Sequence, residues 1–132
     1  MDQTRPLIAV LDDEPKFCKA LARLLQSHGF SVVTFTIGKV FLDACATRPP
    51  DCVVLDLHMP DMNGFDVQER IARLDSPMPV IIMTGHDTEE TRSRAMAGKP
   101  MAYLRKPINE ETLLDAIELA IRSNPKPMTS GK

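Results

Sequence analysis

The chain lacks any apolar run approaching the roughly 18 residues of a membrane span. It also lacks the basic surplus that a nucleic-acid footprint needs, since 16 basic residues face 18 acidic ones for a net charge of −2. No apolar h-region follows Asp2, so nothing near the N-terminus reads as a signal peptide, and a cytoplasmic location is the expectation. Cysteine is scarce. Cys18, Cys45 and Cys52 cannot all pair with one another, and none stands in a C-x-x-C or a zinc-type spacing. They read as reduced thiols used as small apolar side chains. What is present is the composition of a globular domain: 43% hydrophobic and 26% charged residues in a chain of 132, enough for one domain and too short for two ordinary ones.

Residues 7–11, 52–55 and 80–83 are short apolar runs with no helical period, the pattern of strands buried on both faces. Val32, Val33 and Phe35 mark a less uniform strand, and residues 101–104 a fifth. Helical periods separate them. Phe17, Ala20, Leu21, Leu24 and Leu25 form one apolar stripe, closed by Gly29. Residues 38–46 predict a shorter helix stopped before Pro49-Pro50, and Val67, Ile71 and Leu74 mark the next. Leu113, Leu114, Ile117, Leu119 and Ile121 define a last helix, with Asn109 as N-cap and Thr112 three residues on. Segment 87–98 is polar nearly throughout. Ala95 and Met96 alone offer it apolar contact, so a weakly held helix is expected there. Residues 1–123 are expected to form the domain, and 124–132, with Pro125, Pro127, Ser130 and Gly131, a disordered tail or linker stub. The alternation predicts an α/β fold: a five-stranded parallel sheet of order 2-1-3-4-5 with helices on both faces.

In such a sheet ligands bind beyond the carboxyl ends of the strands. Asp12 and Asp13 follow the first strand, Asp56 the third, Thr84 the fourth and Lys106 the fifth. Each alone has an ordinary explanation as a cap, a turn residue or a solvated lysine. Together, from four strands, they point to chemistry. Three neighbouring carboxylates repel one another and require a cation, and an all-oxygen donor set suits Mg²⁺. A carboxylate beside Mg²⁺ and a lysine is well placed to attack phosphorus and form an aspartyl phosphate. Mg²⁺, Lys106 and the Thr84 hydroxyl then each take one phosphoryl oxygen.

Leu11-Asp12-Asp13-Glu14-Pro15, Leu55-Asp56-Leu57-His58-Met59-Pro60 with Asn63-Gly64, Met83-Thr84-Gly85, and Tyr103-Leu104-Arg105-Lys106-Pro107 together resemble the receiver domain of two-component response regulators, over about residues 5–123. The resemblance implies the flavodoxin-like receiver fold. It implies that Asp56 accepts a phosphoryl group from a sensor histidine kinase or a histidine phosphotransfer protein. It implies Mg²⁺ held by Asp13, Asp56 and the backbone carbonyl of His58, with Asp12 acting through water. Lys106 then contacts the phosphoryl group, Thr84 moves toward it, and Tyr103 rotates inward, which switches a protein-binding face formed by residues 87–122. The protein is then not a conventional enzyme, although it phosphorylates itself from small donors and slowly loses the group. A monomer, or a dimer promoted by phosphorylation, is implied, with no direct nucleic-acid or membrane contact. By the same resemblance His58 and His86 flank the site and tune phosphate lifetime, against the simpler reading of two solvated loop histidines. Lys106-Pro107 resembles the family's cis bond. One departure stands out: Lys99 and Pro100 occupy the places of the usual Gly-Ala pair before the last strand, with Gly98 one earlier, and Pro100 pushes Lys99 out of helical geometry.

Three other readings compete. The chain is a receiver cut from a longer regulator with a DNA-binding output domain, a Mg²⁺-dependent phosphohydrolase, or a flavin-binding electron carrier. The phosphohydrolase wants an acid two residues after its nucleophile, where His58 stands. The flavin carrier wants Gly, Ser or Thr where this chain has an acidic loop.

Overall fold

A computed structural model describes residues 5–60 and 62–123. The expected tail at 124–132 lies outside the described residues. Five strands alternate with five helices: β1 (Leu7–Leu11), α1 (Pro15–Ser27), β2 (Ser31–Phe35), α2 (Gly38–Cys45), β3 (Cys52–Asp56), α3 (Gly64–Ala72), β4 (Val80–Thr84), α4 (Glu89–Ala97), β5 (Ala102–Arg105) and α5 (Glu110–Ser123). All strand pairs are parallel, in the order β2-β1-β3-β4-β5. The predicted topology is the observed one.

Strand period sorts the core into two layers. Ile8, Val10, Cys52, Val54, Ile81 and Met83 face α1 and α5, while Ala9, Leu11, Val53, Leu55, Val80 and Ile82 face α2, α3 and α4. β3 and β4 are buried at every position because both faces are covered, which is why their sequences run apolar without alternation. β2 and β5 are the edges, and their partial burial accounts for their mixed composition. Among the described residues no helix is long and apolar enough to cross a membrane. The three cysteines are unpaired and buried, and burial raises all three thiols, Cys52 to about 12, so they stay protonated.

Several element ends differ from the sequence expectation. β3 and β4 each run one residue further, to Asp56 and Thr84, so both site residues are strand residues rather than loop residues. β5 starts at Ala102 instead of Met101 and α2 stops at Cys45. α4 is shorter than 87–98, and of its two apolar candidates only Ala95 is buried, whereas Met96 is 48% exposed. Leu119 points outward from α5 and Ala20 from α1, each lying at the side of its apolar stripe, beyond the core edge. Gly29 takes φ +91 after α1, the left-handed stop that its position predicted. The Asn109 cap is confirmed: its Oδ1 accepts from the Thr112 N–H at 2.9 Å.

The Lys99-Pro100 departure has a defined shape. α4 ends at Ala97, and Lys99 leaves right-handed helical geometry as expected, but at φ +53, in the left-handed region rather than in the extended backbone that a following proline favours. Gly98 keeps an ordinary φ and serves packing instead, since a Cβ there would collide with the side-chain amide of Gln68. That amide is buried and donates to the Ala95 carbonyl at 2.9 Å, tying α3 to α4.

Candidate functional site

Two chain segments, the ends of β1 and β3, bring the acidic residues together. β1 ends in Leu11, and Asp12 continues the ladder, its N–H bonded to the Phe35 carbonyl at 3.0 Å. Asp12 is fully buried, and its Oδ1 accepts from the Glu14 N–H at 2.9 Å. Asp13 beside it is exposed. β3 delivers Asp56, 4% exposed, whose Oδ1 accepts from the His58 N–H at 3.4 Å. One oxygen from each of Asp12, Asp13 and Asp56 lies within 4.8 Å of the others.

The loop after Asp56 is bent tightly so that α3 begins close against it. Gly64 N–H donates to the Leu57 carbonyl at 2.9 Å, and a Cβ at Gly64 would fall 2.5 Å from both the Asp56 carbonyl oxygen and the Leu57 Cα. Glycine at the end of the D-x-x-M-P-x-x-x-G stretch is therefore a steric condition for the position of Asp56. Asn63 caps the helix that follows, accepting from the Asp66 N–H at 3.0 Å.

β5 brings the positive charge. Lys106 Nζ lies 2.8 Å from Asp12 Oδ2 and 3.9 Å from Asp56 Oδ2. Its N–H is held by the Thr84 carbonyl at 2.8 Å, which continues the β4–β5 ladder into the site. Burial alone lowers the lysine's pKa, but the Asp12 hydrogen bond and the charges of Asp56 and Asp12 outweigh it and hold the ammonium above its ordinary value. For Asp56 the balance goes the other way. Burial and the neighbouring Asp12 charge raise it to about 6, against smaller lowering by Lys106 and the His58 N–H. One ammonium thus faces three carboxylates. An all-oxygen cluster with that charge excess, two of its carboxylates buried and one open to solvent, fits a hard divalent cation.

Thr84 is fully buried at the end of β4, and its Oγ1 accepts from the His86 N–H at 2.9 Å. Gly85 leaves the opening clear, the nearest atom to a hypothetical Cβ being Lys106 Cδ at 3.8 Å. His58 and His86 both stand exposed at this rim and meet edge to face, ring centroids 5.4 Å apart. The structure thus places all the predicted side chains at one edge of the sheet. It also gives the His58 N–H a role, as a donor to Asp56 Oδ1.

Other contacts were not foreseen. Phe17, expected only as part of the α1 stripe, lies under Lys106, the ammonium 4.4 Å from its ring centroid. Asp87 accepts from the Tyr103 hydroxyl at 2.8 Å and from Arg92 at 2.7 Å, with Arg105 at 3.8 Å. The Tyr103 hydrogen bond first, and the Arg92 contacts with it, lower the Asp87 carboxyl. Burial and Asp87 together push the Tyr103 phenol up to about 12. The short side chain and charge of Asp87, three residues past Thr84, were the available signal.

Comparison with known proteins agrees with this geometry. The profile of the response regulator receiver domain family matches residues 8–118. Response regulator protein TodT of Pseudomonas putida is 33% identical over 126 residues, covering 96% of this chain and 56% of the relative. Transcriptional regulatory protein FixJ of Bradyrhizobium diazoefficiens is 37% identical over 119 residues, covering 90% of this chain and 58% of the relative. The chain thus spans a little over half the length of these relatives. Among solved structures, a response regulator receiver protein from Burkholderia phymatum aligns with TM-score 0.78 and 38% identity over 94% of this chain and 100% of its own. The receiver domain of a putative LuxO repressor from Vibrio parahaemolyticus aligns with TM-score 0.88 over 97% of this chain and 99% of its own; at 23% identity it bears on the fold alone. With the strand order, the acidic cluster and the lysine already on the same sheet edge, this chain belongs to the response regulator receiver domain family.

Proposed function

We propose that Asp56 is a phosphoacceptor, taking a phosphoryl group from a phosphohistidine of a sensor histidine kinase or a histidine phosphotransfer protein. The observation that supports this most is the Asp56 carboxylate itself, nearly buried at the end of β3, crowded by Asp12 and facing the Lys106 ammonium at 3.9 Å. An Asp56 oxygen attacks phosphorus, the P–N bond of the donor breaks, and the imidazole leaves with the bonding pair and takes a proton from solvent. Asp13, Asp56 and the His58 carbonyl would hold Mg²⁺ directly and Asp12 through water; when bound, the ion supplies positive charge to a phosphoryl oxygen. Lys106 binds a second oxygen by leaving Asp12, and the Thr84 hydroxyl, already oriented by its strand, takes the third. Hydrolysis returns the carboxylate, and the solvent-facing Gly85 leaves room for water at the acyl phosphate.

The switch is carried by Thr84 and by the face comprising residues 87–122. α4 has one buried residue, so few apolar contacts oppose its rearrangement. The Asp87–Tyr103 bond holds the phenol in its present position, and its release permits Tyr103 to turn inward. That face meets a downstream protein, with a cytoplasmic location and no direct contact with nucleic acid or membrane. A monomer, or a dimer promoted by phosphorylation, completes the reading. A second reading is favoured by the extent of the match to FixJ, a named transcriptional regulator of which this chain spans 58%: the receiver then controls a further output domain. Incubation with acetyl phosphate and Mg²⁺ followed by intact mass measurement is the test. A gain of one phosphoryl group, absent in Asp56→Asn, supports the proposal, and full labelling of that variant refutes it.

A further inference from the structure

Lys106 has three partners: Asp12 at 2.8 Å, Asp56 at 3.9 Å, and the face of Phe17 at 4.4 Å. The two carboxylates belong to the cluster that a divalent cation and a phosphoryl group would engage. The ring does not. It stands on the first turn of α1, half-buried against the α1/α5 layer of the core, so its position is set by packing rather than by charge. An ammonium within about 6 Å of a phenyl centroid is attracted by the negative face of the ring, and partial desolvation strengthens that attraction. The lysine is mostly shielded here, with 22% of its side chain exposed. An aliphatic side chain of equal bulk would fill the same space without attracting the charge.

We infer that Phe17 is a positioning residue for Lys106: its ring holds the ammonium over the strand ends when Asp12 and Asp56 are engaged elsewhere, and so keeps it aimed at the incoming phosphoryl group. The inference rests on the phosphoacceptor reading of Asp56. It assigns α1 a role in the chemistry besides its part in the core. Lys106 exchanges one anionic partner for another during phosphorylation, and a four-carbon side chain released into solvent would lose the alignment that the transfer needs. The ring restricts that freedom without competing for the charge, because it makes no hydrogen bond that must break before the phosphoryl oxygen is bound.

The test uses acetyl phosphate, a small donor, so that kinase docking on α1 does not enter. The rate of Asp56 labelling is measured at saturating Mg²⁺ for the wild type, Phe17→Leu, Phe17→Tyr and a series with mono-, di- and pentafluorophenylalanine at position 17. Phe17→Leu should slow labelling roughly 3- to 10-fold, and Phe17→Tyr should restore it. Progressive fluorination, which drains the ring face while keeping its shape, should slow labelling in step. In a Lys106→Ala background Phe17→Leu should have no further effect. A readout independent of activity is the Lys106 ε-methylene proton shift. It should lie upfield in the wild type, stay there when Mg²⁺ is added, and relax in Phe17→Leu. Equal rates across the fluorinated series, or the same loss from Phe17→Leu with and without Lys106, would overturn the inference while leaving Asp56 as acceptor. Absence of labelling in the wild type would overturn both.

Discussion

Replacing Asp56 with asparagine should make the metal-free domain more stable, and the structure indicates by how much. Asp56 is 4% exposed, and burial together with the Asp12 charge raises its pKa from 3.8 to about 6. For an acid raised on folding, the ionised form is the one the fold disfavours. Its penalty is small below the unfolded value and grows as pH rises from about 4 to about 6, after which it is complete. At about 1.4 kcal/mol per pKa unit, the full penalty has a ceiling of about 3 kcal/mol above neutral pH and falls to about 1 kcal/mol near pH 4.5. Asparagine has nearly the same shape and carries no charge, and the Lys106 attraction at 3.9 Å is already contained in the value of about 6, so a gain of about 1–3 kcal/mol, the lower figure allowing for an amide that packs less well, is expected near pH 7.5. Urea unfolding in EDTA at several pH values measures it. The variant's advantage should shrink as pH falls, and added Mg²⁺ should stabilise the wild type more than the variant. A neutral or destabilising Asp56→Asn near pH 7.5, or an advantage that stays constant down to pH 4.5, would refute the electrostatic reasoning.

Mg²⁺ titration should separate the roles of the charged residues. Asp13→Ala, which removes a proposed direct ligand, should weaken binding by roughly 10-fold or more, whereas Lys106→Ala, which removes a competing positive charge, should leave it unchanged or tighter. Gly64→Ala forces a methyl group against the Asp56 carbonyl and should cost more than about 2 kcal/mol in urea unfolding, with a matching loss of labelling at Asp56. Tyr103 is the sole tyrosine in a chain without tryptophan, so its ionisation is directly visible by ultraviolet absorbance. Asp87→Ala should bring its apparent pKa down from about 12 partway toward 10, since burial, the larger cause, remains. An unchanged titration would mean that the Asp87 contact does not hold the phenol.

The fold was legible because its central strands are covered on both faces. Runs such as Val53-Val54-Leu55 and Ile81-Ile82-Met83 admit little else, and the polar character of α4 was visible as a string of charged residues. The site was legible for the same reason: a charged residue that ends an apolar run has only the strand's carboxyl end to occupy. Contacts that cross the fold were not legible. Lys106 and Asp12 are 94 residues apart, and nothing in either neighbourhood says that the lysine bonds Asp12 more closely than Asp56. Phe17 fell on the apolar stripe of α1, and periodicity does not tell which end of a stripe opens onto a site. Met96 is not a core residue because α4 buries one position only, and Ala95 holds it. Gly98 caps α4, and nothing in its neighbours signals that its small size also makes room for the buried Gln68 amide.

β5 lies at the margin of the sheet and is bonded along one side only, to β4. It carries Tyr103 and runs into Lys106 three residues later, a span of about 10 Å in extended chain. A strand between two neighbours resists displacement along two seams, whereas this one resists along one. In the proposed switch, a pull at the lysine passes along this short, singly braced ribbon to the tyrosine, and an edge strand becomes the lever arm. On that proposal, chemistry at the rim and recognition on the flank are mechanically one event, with β1 and β3 as the inner frame against which it moves.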